Sequence, residues 1–265
     1  TKIPLRRAGF LLAVPMVLEL VLESTFAVVD IWFVARLGAS AVATVGLTET
    51  FLFLLYAIGI GLAMAVTAVV ARRVGEGDRP AAAVSAAQAI WVAVLASLPF
   101  AVAGIVWARE LLQLMGADAW TLTHGVRYLQ WMLGSNVVIM LLFVCNAVFR
   151  GAGDAAVAMR VLWLANGLDI LPDPVLIFRL GPGPAPRLAG AAVGVEGAAI
   201  ATVIGRGAGV AMQLVILLRG SQHLRVAASQ LALEAKTLWH IVRTSLGGVG
   251  QMIVAMTAWI FLMRI

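Results

Sequence analysis

Charge is the scarcest property of this chain. Only 12% of its 265 residues are charged, against 62% hydrophobic, and its mean hydropathy is +1.01. A soluble domain of this length could not bury that much apolar surface, so the composition excludes a water-soluble globular protein and requires an integral membrane protein. Cysteine is almost absent. Cys145 stands alone inside an apolar run, which excludes an intrachain disulfide and leaves it as a small packing residue. The three histidines, His124, His223 and His240, lack ligand spacing, so no metal cluster is expected. Short segments of alternating hydrophobicity are also missing, which argues against a β-barrel. No nucleophile stands near a base, which argues against an enzyme and against a need for cofactors.

What remains is a series of apolar runs about 23 to 29 residues long, each enough to cross a hydrocarbon core of roughly 30 Å with some tilt. The runs predict seven membrane helices near residues 8–35, 47–71, 81–107, 122–148, 156–178, 190–218 and 238–263. The first run is long and lacks a small-residue cleavage pattern, so no cleavable signal peptide is expected.

The formal net charge of +6 could point to nucleic acid, but the basic residues alternate with the loops. Lys2, Arg6, Arg7, Arg72, Arg73, Arg79, Arg150, Arg160, Arg219, Arg225, Lys236 and Arg243 fall on one side. Arg36, Arg109, Arg127, Arg179 and Arg187 fall on the other. By the positive-inside rule the N-terminus is expected in the cytoplasm, and the basic excess requires no nucleic-acid partner. The predicted localisation is therefore a multi-pass protein of a prokaryotic cytoplasmic membrane.

The connections are short. Gly75-Glu-Gly-Asp78 and Gly151-Ala-Gly-Asp154 predict a glycine ending one helix and an aspartate capping the next. Without a preceding strand or a following Lys-Ser/Thr they are turns rather than phosphate cradles. Gly181-Pro-Gly-Pro-Ala-Pro186 predicts a stiff, exposed connection on the outer side. Two stripes of small residues, Gly59, Ala63, Thr67 and Ala71 and then Gly197, Ala201, Gly205 and Gly209, predict faces where helix backbones approach closely in lipid.

The chemistry lies in acids inside the membrane runs, where each carboxylate costs several kilocalories per mole and so demands compensation or use. Glu19, Glu23 and Asp30 fall within roughly 40° of one another at about 100° per residue, one acidic stripe on the first helix. Asn166, Asp169 and Asp173 share a face of the fifth. Pro172 and Pro174 remove the backbone donors that would bond the carbonyls of Leu168 and Ile170, so the segment WLANGLDILPDPVLIF predicts a broken, polar helix lining a cavity, with oxygens placed for a cation. The bland alternative is that the acids only lock the bundle. Glu19 and Arg206 lie at similar predicted depth and are expected to form a structural ion pair. One arginine cannot neutralise five acids, so Asp30 and Asp173 are read as functional. Such carboxylates can exchange protons or hold a small cation, as an ion-coupled transporter requires.

These residues also carry a resemblance. VVDIWFVARLG at the end of Met16–Gly38, VVARRVGEGD, FRGAGD, LPDPVLIF and GVEGAAIATVIG run in order through six spans and together resemble the multidrug and toxic compound extrusion (MATE) family. The resemblance implies two bundles of six helices around a central cleft, exchanging Na⁺ or H⁺ for small organic, often cationic, compounds. It implies a cation-coupling site of Asp30, Asp173 and Thr202, with Asp169 where the pattern usually has asparagine. Glu23, where a neutral amide is common, and Asn166 are further candidates for the cavity. A Na⁺ at this site is the one metal expected, and the extra acids leave the choice of Na⁺ or H⁺ open.

The expected organisation is an all-α bundle. Residues 1–219 form a six-helix lobe, 220–237 a cytoplasmic linker, and 238–265 the first helix of a second lobe that a full-length chain would complete. The seventh run weakly resembles the first, with Gly247 and Gln251 matching Pro15 and Glu19. The leading functional reading is an antiporter exporting drug-like cations. A lipid-linked oligosaccharide flippase shares the architecture but needs a basic cavity, and a non-transporting scaffold is the remaining alternative.

Overall fold

A computed structural model describes residues 5–178, 194–220 and 224–262. Among these the chain is helical: α1 Leu5–Ala35, α2 Ala39–Gly75, α3 Arg79–Val106, α4 Ala108–Leu114, α5 Ala119–Gly134, α6 Asn136–Gly151, α7 Ala155–Ile170, α8 Asp173–Phe178, α9 Val195–Arg219 and α10 Ala235–Leu262. The expected Gly181–Pro186 connection lies outside the described residues.

The protein is an all-α integral membrane protein, with six spans in one bundle and a seventh against it. Four stretches, Ala39–Gly75, Arg79–Val106, Ala119–Gly151 and Val195–Arg219, are long and apolar enough to cross a bilayer. Two of the other spans depart from that profile for identifiable reasons. α1 carries Glu19, Glu23 and Asp30 within one helix, and the α7–α8 span is interrupted at Leu171 and Pro172.

Local chemistry sets these boundaries. Asp78 accepts from the Ala81 amide at 3.0 Å and Pro80 stands in the first turn of α3, a cap followed by a residue that needs no amide partner. Gly77 supplies the positive φ of 79° that closes the preceding turn. The fourth expected span is two helices, α5 and α6, meeting at Ser135. The buried Asn136 side chain donates there to the carbonyls of Ser97 and Leu133, so the break is satisfied inside the bundle. At the fifth span the Leu171 amide still reaches the Gly167 carbonyl, and the Leu176 amide resumes with the Pro172 carbonyl. The helix stops where proline withholds its donor.

α2, α3 and α6 form the centre, filled by side chains such as Leu52, Leu55, Met140 and Phe149. The two predicted small-residue stripes are packing faces. On α2, the Thr67 hydroxyl bonds the Ala147 carbonyl of α6 at 3.2 Å. On α9, Gly197, Ala201, Gly205 and Gly209 are all buried, and a Cβ at Gly205 would stand 2.6 Å from the Ala165 carbonyl oxygen and 2.8 Å from the Asp169 amide. Only glycine lets α9 meet the α7 backbone there.

The segment before α10 docks on α3. Gln88 donates to the Ala232 carbonyl at 2.7 Å and accepts from the Glu234 amide, while the Trp91 indole donates to the Leu231 carbonyl at 2.9 Å. α10 then crosses α2 at a glycine, since a Cβ at Gly61 would clash with the Val249 backbone amide. The seventh helix is thereby fixed to the six-helix bundle.

Candidate cation site between α1, α7, α8 and α9

The intramembrane polar residues separate into two groups. The first is a connected network at one end of the bundle. A Glu19 carboxylate oxygen lies 3.6 Å from Arg150 and accepts from the Asn146 amide at 3.4 Å. Asn146 in turn accepts from Gln213 at 2.6 Å. α1, α6 and α9 are stitched together by a chain in which the buried acid has both a counter-charge and a donor.

This arrangement corrects the expected Glu19–Arg206 pair. α6 runs to Gly151, so Arg150 sits in its last turn and its long side chain reaches inward to the acid. Counting depth along isolated helices placed Arg150 in a loop and missed that reach. The single acidic stripe of α1 is also divided. Glu19 turns to Arg150, whereas Glu23 is exposed and interacts by charge with Arg206 and Tyr56.

The second group is open. Asp30 follows Glu19 by eleven residues on the same helix, roughly 16 Å further along at 1.5 Å per residue. Asp173 at the start of α8 interacts by charge with both Asp30 and Asp169, and the Thr202 side chain of α9 faces the Asp169 carboxylate. The structure thus brings Asp30, Asp169, Asp173 and Thr202 to one region. Asp169 and Asp173 are 1% and 0% exposed, and among the described residues no hydrogen-bond donor closes any of their four carboxylate oxygens. Asn166 is buried one turn before Asp169 with its amide nitrogen unpartnered. Uncompensated buried oxygens at this density are costly unless something binds them.

The break in the fifth span positions this cluster. Asp169 lies in the last turn of α7 and Asp173 opens α8, with Leu171 and Pro172 between them. Gly205 holds α9 against the Asp169 backbone, which sets Thr202 one turn away.

Arg206 follows Thr202 by four residues. Its guanidinium lies within electrostatic reach of Tyr56 on α2 and of Glu23 and Asp169, as well as of Asp30 and Glu49. No carboxylate among the described residues closes an ion pair with it. Sequence reasoning missed Glu49, Tyr56 and Tyr128, the last of which senses Asp30 and Glu49 from α5. α2 begins at Ala39, eight residues before the expected start of that span. Glu49 therefore lies within the helix rather than near its end, and the longer helix is the signal that could have revealed it.

The oxygens of this cluster suit a proton or a small hard cation, for which carboxylate, hydroxyl and carbonyl groups are the preferred donors. Among the described residues no group of three or more His, Cys, Asp or Glu side chains is close enough to hold a metal ion, so Asp30, Asp169 and Asp173 share a region without forming a closed ligand set.

A bundle of membrane-length helices that buries open carboxylates beside a broken helix has the architecture of a membrane transporter lobe. Residues 15–175 match the MatE family model, and the chain belongs to that family, the multidrug and toxic compound extrusion transporters. It is 28% identical over 201 residues to the FAD transporter of Shewanella oneidensis, covering 76% of this chain and 43% of that protein. It is also 28% identical over 224 residues to the probable multidrug resistance protein NorM of Thermotoga maritima, covering 83% and 46%. Its fold superposes on a MOP superfamily transporter from Pyrococcus furiosus with a TM-score of 0.84 at 24% identity, over 96% of this chain and 54% of that one. The chain spans about half the length of the relatives it matches. Those relatives are transporters rather than enzymes.

Proposed function

We propose that the protein is the ion-coupled lobe of a secondary antiporter that exports organic, cationic, drug-like compounds in exchange for H⁺ or Na⁺. The observation that carries this reading is the pair Asp169 and Asp173, fully buried with no donor on either carboxylate, within electrostatic reach of Asp30. A coupling ion bound to these oxygens neutralises the cluster and favours one packing of the broken helix. Its release restores the charge and favours another, so that ion binding and conformation are linked through differential affinity. The same carboxylates give the cavity a negative potential, which favours cationic cargo and opposes the pyrophosphate of a lipid-linked sugar.

In this reading residues 1–219 form the coupling lobe, 220–237 the linker and 238–265 the first helix of a partner lobe across a central cleft. The membrane is the cytoplasmic membrane of a prokaryote, with the N-terminus inside. The cargo of the Shewanella relative, FAD, carries a diphosphate, which the acid-rich cluster disfavours.

Transport of a fluorescent organic cation into proteoliposomes, driven in turn by an imposed Na⁺ gradient and an imposed pH gradient, tests the proposal on the complete chain. Accumulation driven by one of the two gradients, and not displaced by FAD, is expected. Equal flux with and without gradients would overturn the antiport reading.

A further inference from the structure

α2 and α10 leave a cavity between them at the end of the bundle where α2 finishes and α10 begins. The two helices touch at glycines, since a Cβ at Gly248 would stand 2.8 Å from the Gly61 carbonyl oxygen. Eleven residues further along α2 and eight back along α10, they enclose about 190 Å³ lined by Val69, Arg72, Arg73, Glu76 and His240. Its size admits a phosphate ester and not merely a water.

The walls are basic on both sides. Glu76 is the one acid in the lining and faces two guanidiniums, accepting from Arg72 Nε at 2.8 Å and lying 3.9 Å from Arg73. Among the described residues the Arg72 side chain bonds only through that nitrogen and the Arg73 side chain makes no hydrogen bond. Both guanidiniums therefore keep donors for an anion. Across the cavity His240 belongs to a stripe on α10, in which Lys236, His240 and Arg243 stand at i, i+4 and i+7, all exposed. The other acids at this end are Asp78, whose side chain already caps α3, and Glu234. Arg79, Lys236 and Arg243 outnumber them.

The cavity also stands at the level of lipid headgroups. α2 has 37 residues, about 55 Å at 1.5 Å per residue, against a hydrocarbon core of roughly 30 Å. Arg72 and Arg73 occupy its last turn. On the adjoining face of α10, Trp239, Arg243 and Leu246 follow at i, i+4 and i+7, with Trp239 64% and Leu246 62% exposed. An exposed tryptophan among basic residues, followed by an exposed leucine two turns deeper, marks a helix entering the bilayer through its interface. Val69, one turn deeper than Arg73, adds an apolar wall.

The geometry points to a binding site for the phosphate of an anionic lipid headgroup, held between Arg72 and Arg73 of α2 and His240 of α10. Basic pockets between membrane helices suit such headgroups. The guanidiniums match phosphate oxygens with paired donors, and the imidazole adds an N–H from the opposite wall. A zwitterionic headgroup fits less well, because it brings a cation of its own against the arginines. The site is independent of the coupling-ion reading. One phosphate touching both helices favours the packing in which their ends stand together, since a ligand stabilises the state that binds it.

Thermal unfolding of the purified protein in a neutral detergent tests this with three additions. These are dioleoylphosphatidylglycerol, dioleoylphosphatidylcholine at the same mole fraction, and inorganic phosphate against chloride at equal ionic strength. Phosphatidylglycerol is expected to raise Tm saturably by about 5 °C, and the other two are not. Arg73→Gln and His240→Gln, on opposite walls, should each cut that rise by at least about half. Arg109→Gln, at the other end of the bundle, should keep it. All three side chains are exposed, so the variants are expected to fold. A rise that survives both Arg73→Gln and His240→Gln overturns the site, and so does one that Arg109→Gln removes equally, which would show diffuse attraction of charge. Loss in Arg73→Gln alone overturns the bridge to α10. The same rise from inorganic phosphate overturns the lipid as ligand and leaves a site for the free anion.

Discussion

Glu19 and Asp173 are both carboxylates buried in the same six-helix bundle, and the bundle treats them in opposite ways. Glu19 has Arg150 at 3.6 Å and the Asn146 amide at 3.4 Å. Among the described residues Asp173 has neither a cation within ion-pair distance nor a donor on either oxygen. Burial alone therefore does not distinguish a structural acid from a coupling acid. What distinguishes them is whether the fold has already supplied the partner.

The largest effect expected from this contrast is on transport. Asp173→Asn should abolish gradient-driven flux, a loss of at least about tenfold, because the exchangeable charge goes while the side-chain volume stays. Its Tm should not fall, since the variant removes a buried carboxylate that no donor satisfied. A folded Asp173→Asn protein that still transports at the wild-type rate would break the comparison at its functional end.

Arg150→Ala tests the structural end. It leaves Glu19 buried beside Asn146 without its counter-charge, and the expected cost is on the order of 3 kcal/mol, the lower range for breaking a largely buried pair because the Arg150 side chain keeps some exposure. Adding Glu19→Gln should recover part of the loss, since a neutral amide in that position no longer needs the arginine. The double-mutant cycle on Tm measures the coupling. If both single variants unfold at the wild-type temperature, the closed network is not what holds α1 to α6 and α9.

The architecture was legible in the sequence wherever a single helix carried the signal. The length of the apolar runs gave seven spans, Pro172 marked the break between α7 and α8, and Gly197, Ala201, Gly205 and Gly209 marked the face that α9 buries. Pairings between helices were less legible, because they depend on where each helix starts and how far a side chain reaches. Arg150 lies at the end of α6, so depth counting assigned it to a loop, whereas a flexible arginine crosses that distance easily. Glu49 escaped notice for the related reason that α2 begins at Ala39 rather than near residue 47. Asp30, Asp169 and Asp173 could be grouped in advance because two of them share one helix and the third matches a motif. That Arg150 rather than Arg206 reaches Glu19 is a property of the assembled bundle.

The smallest effect concerns an acid outside the membrane, which sets the reference for the other two. Asp118 precedes α5 and is exposed. It accepts from the Thr121 amide at 2.8 Å and from the Ser40 hydroxyl at 3.2 Å. These bonds, chiefly those from Thr121, hold its carboxyl below the usual aspartate value of 3.8. A carboxyl lowered in the folded state stabilises the fold above its unfolded pKa, and that contribution disappears as pH falls through the folded value. Asp118→Ala should therefore lower Tm slightly at neutral pH, by less than Arg150→Ala does, and the difference from wild type should vanish as pH drops below about 4. A Tm difference that persists unchanged into acid would mean that Asp118 acts by packing. A difference that fades in acid ties the cost to the charge itself, as the contrast between the two buried acids requires.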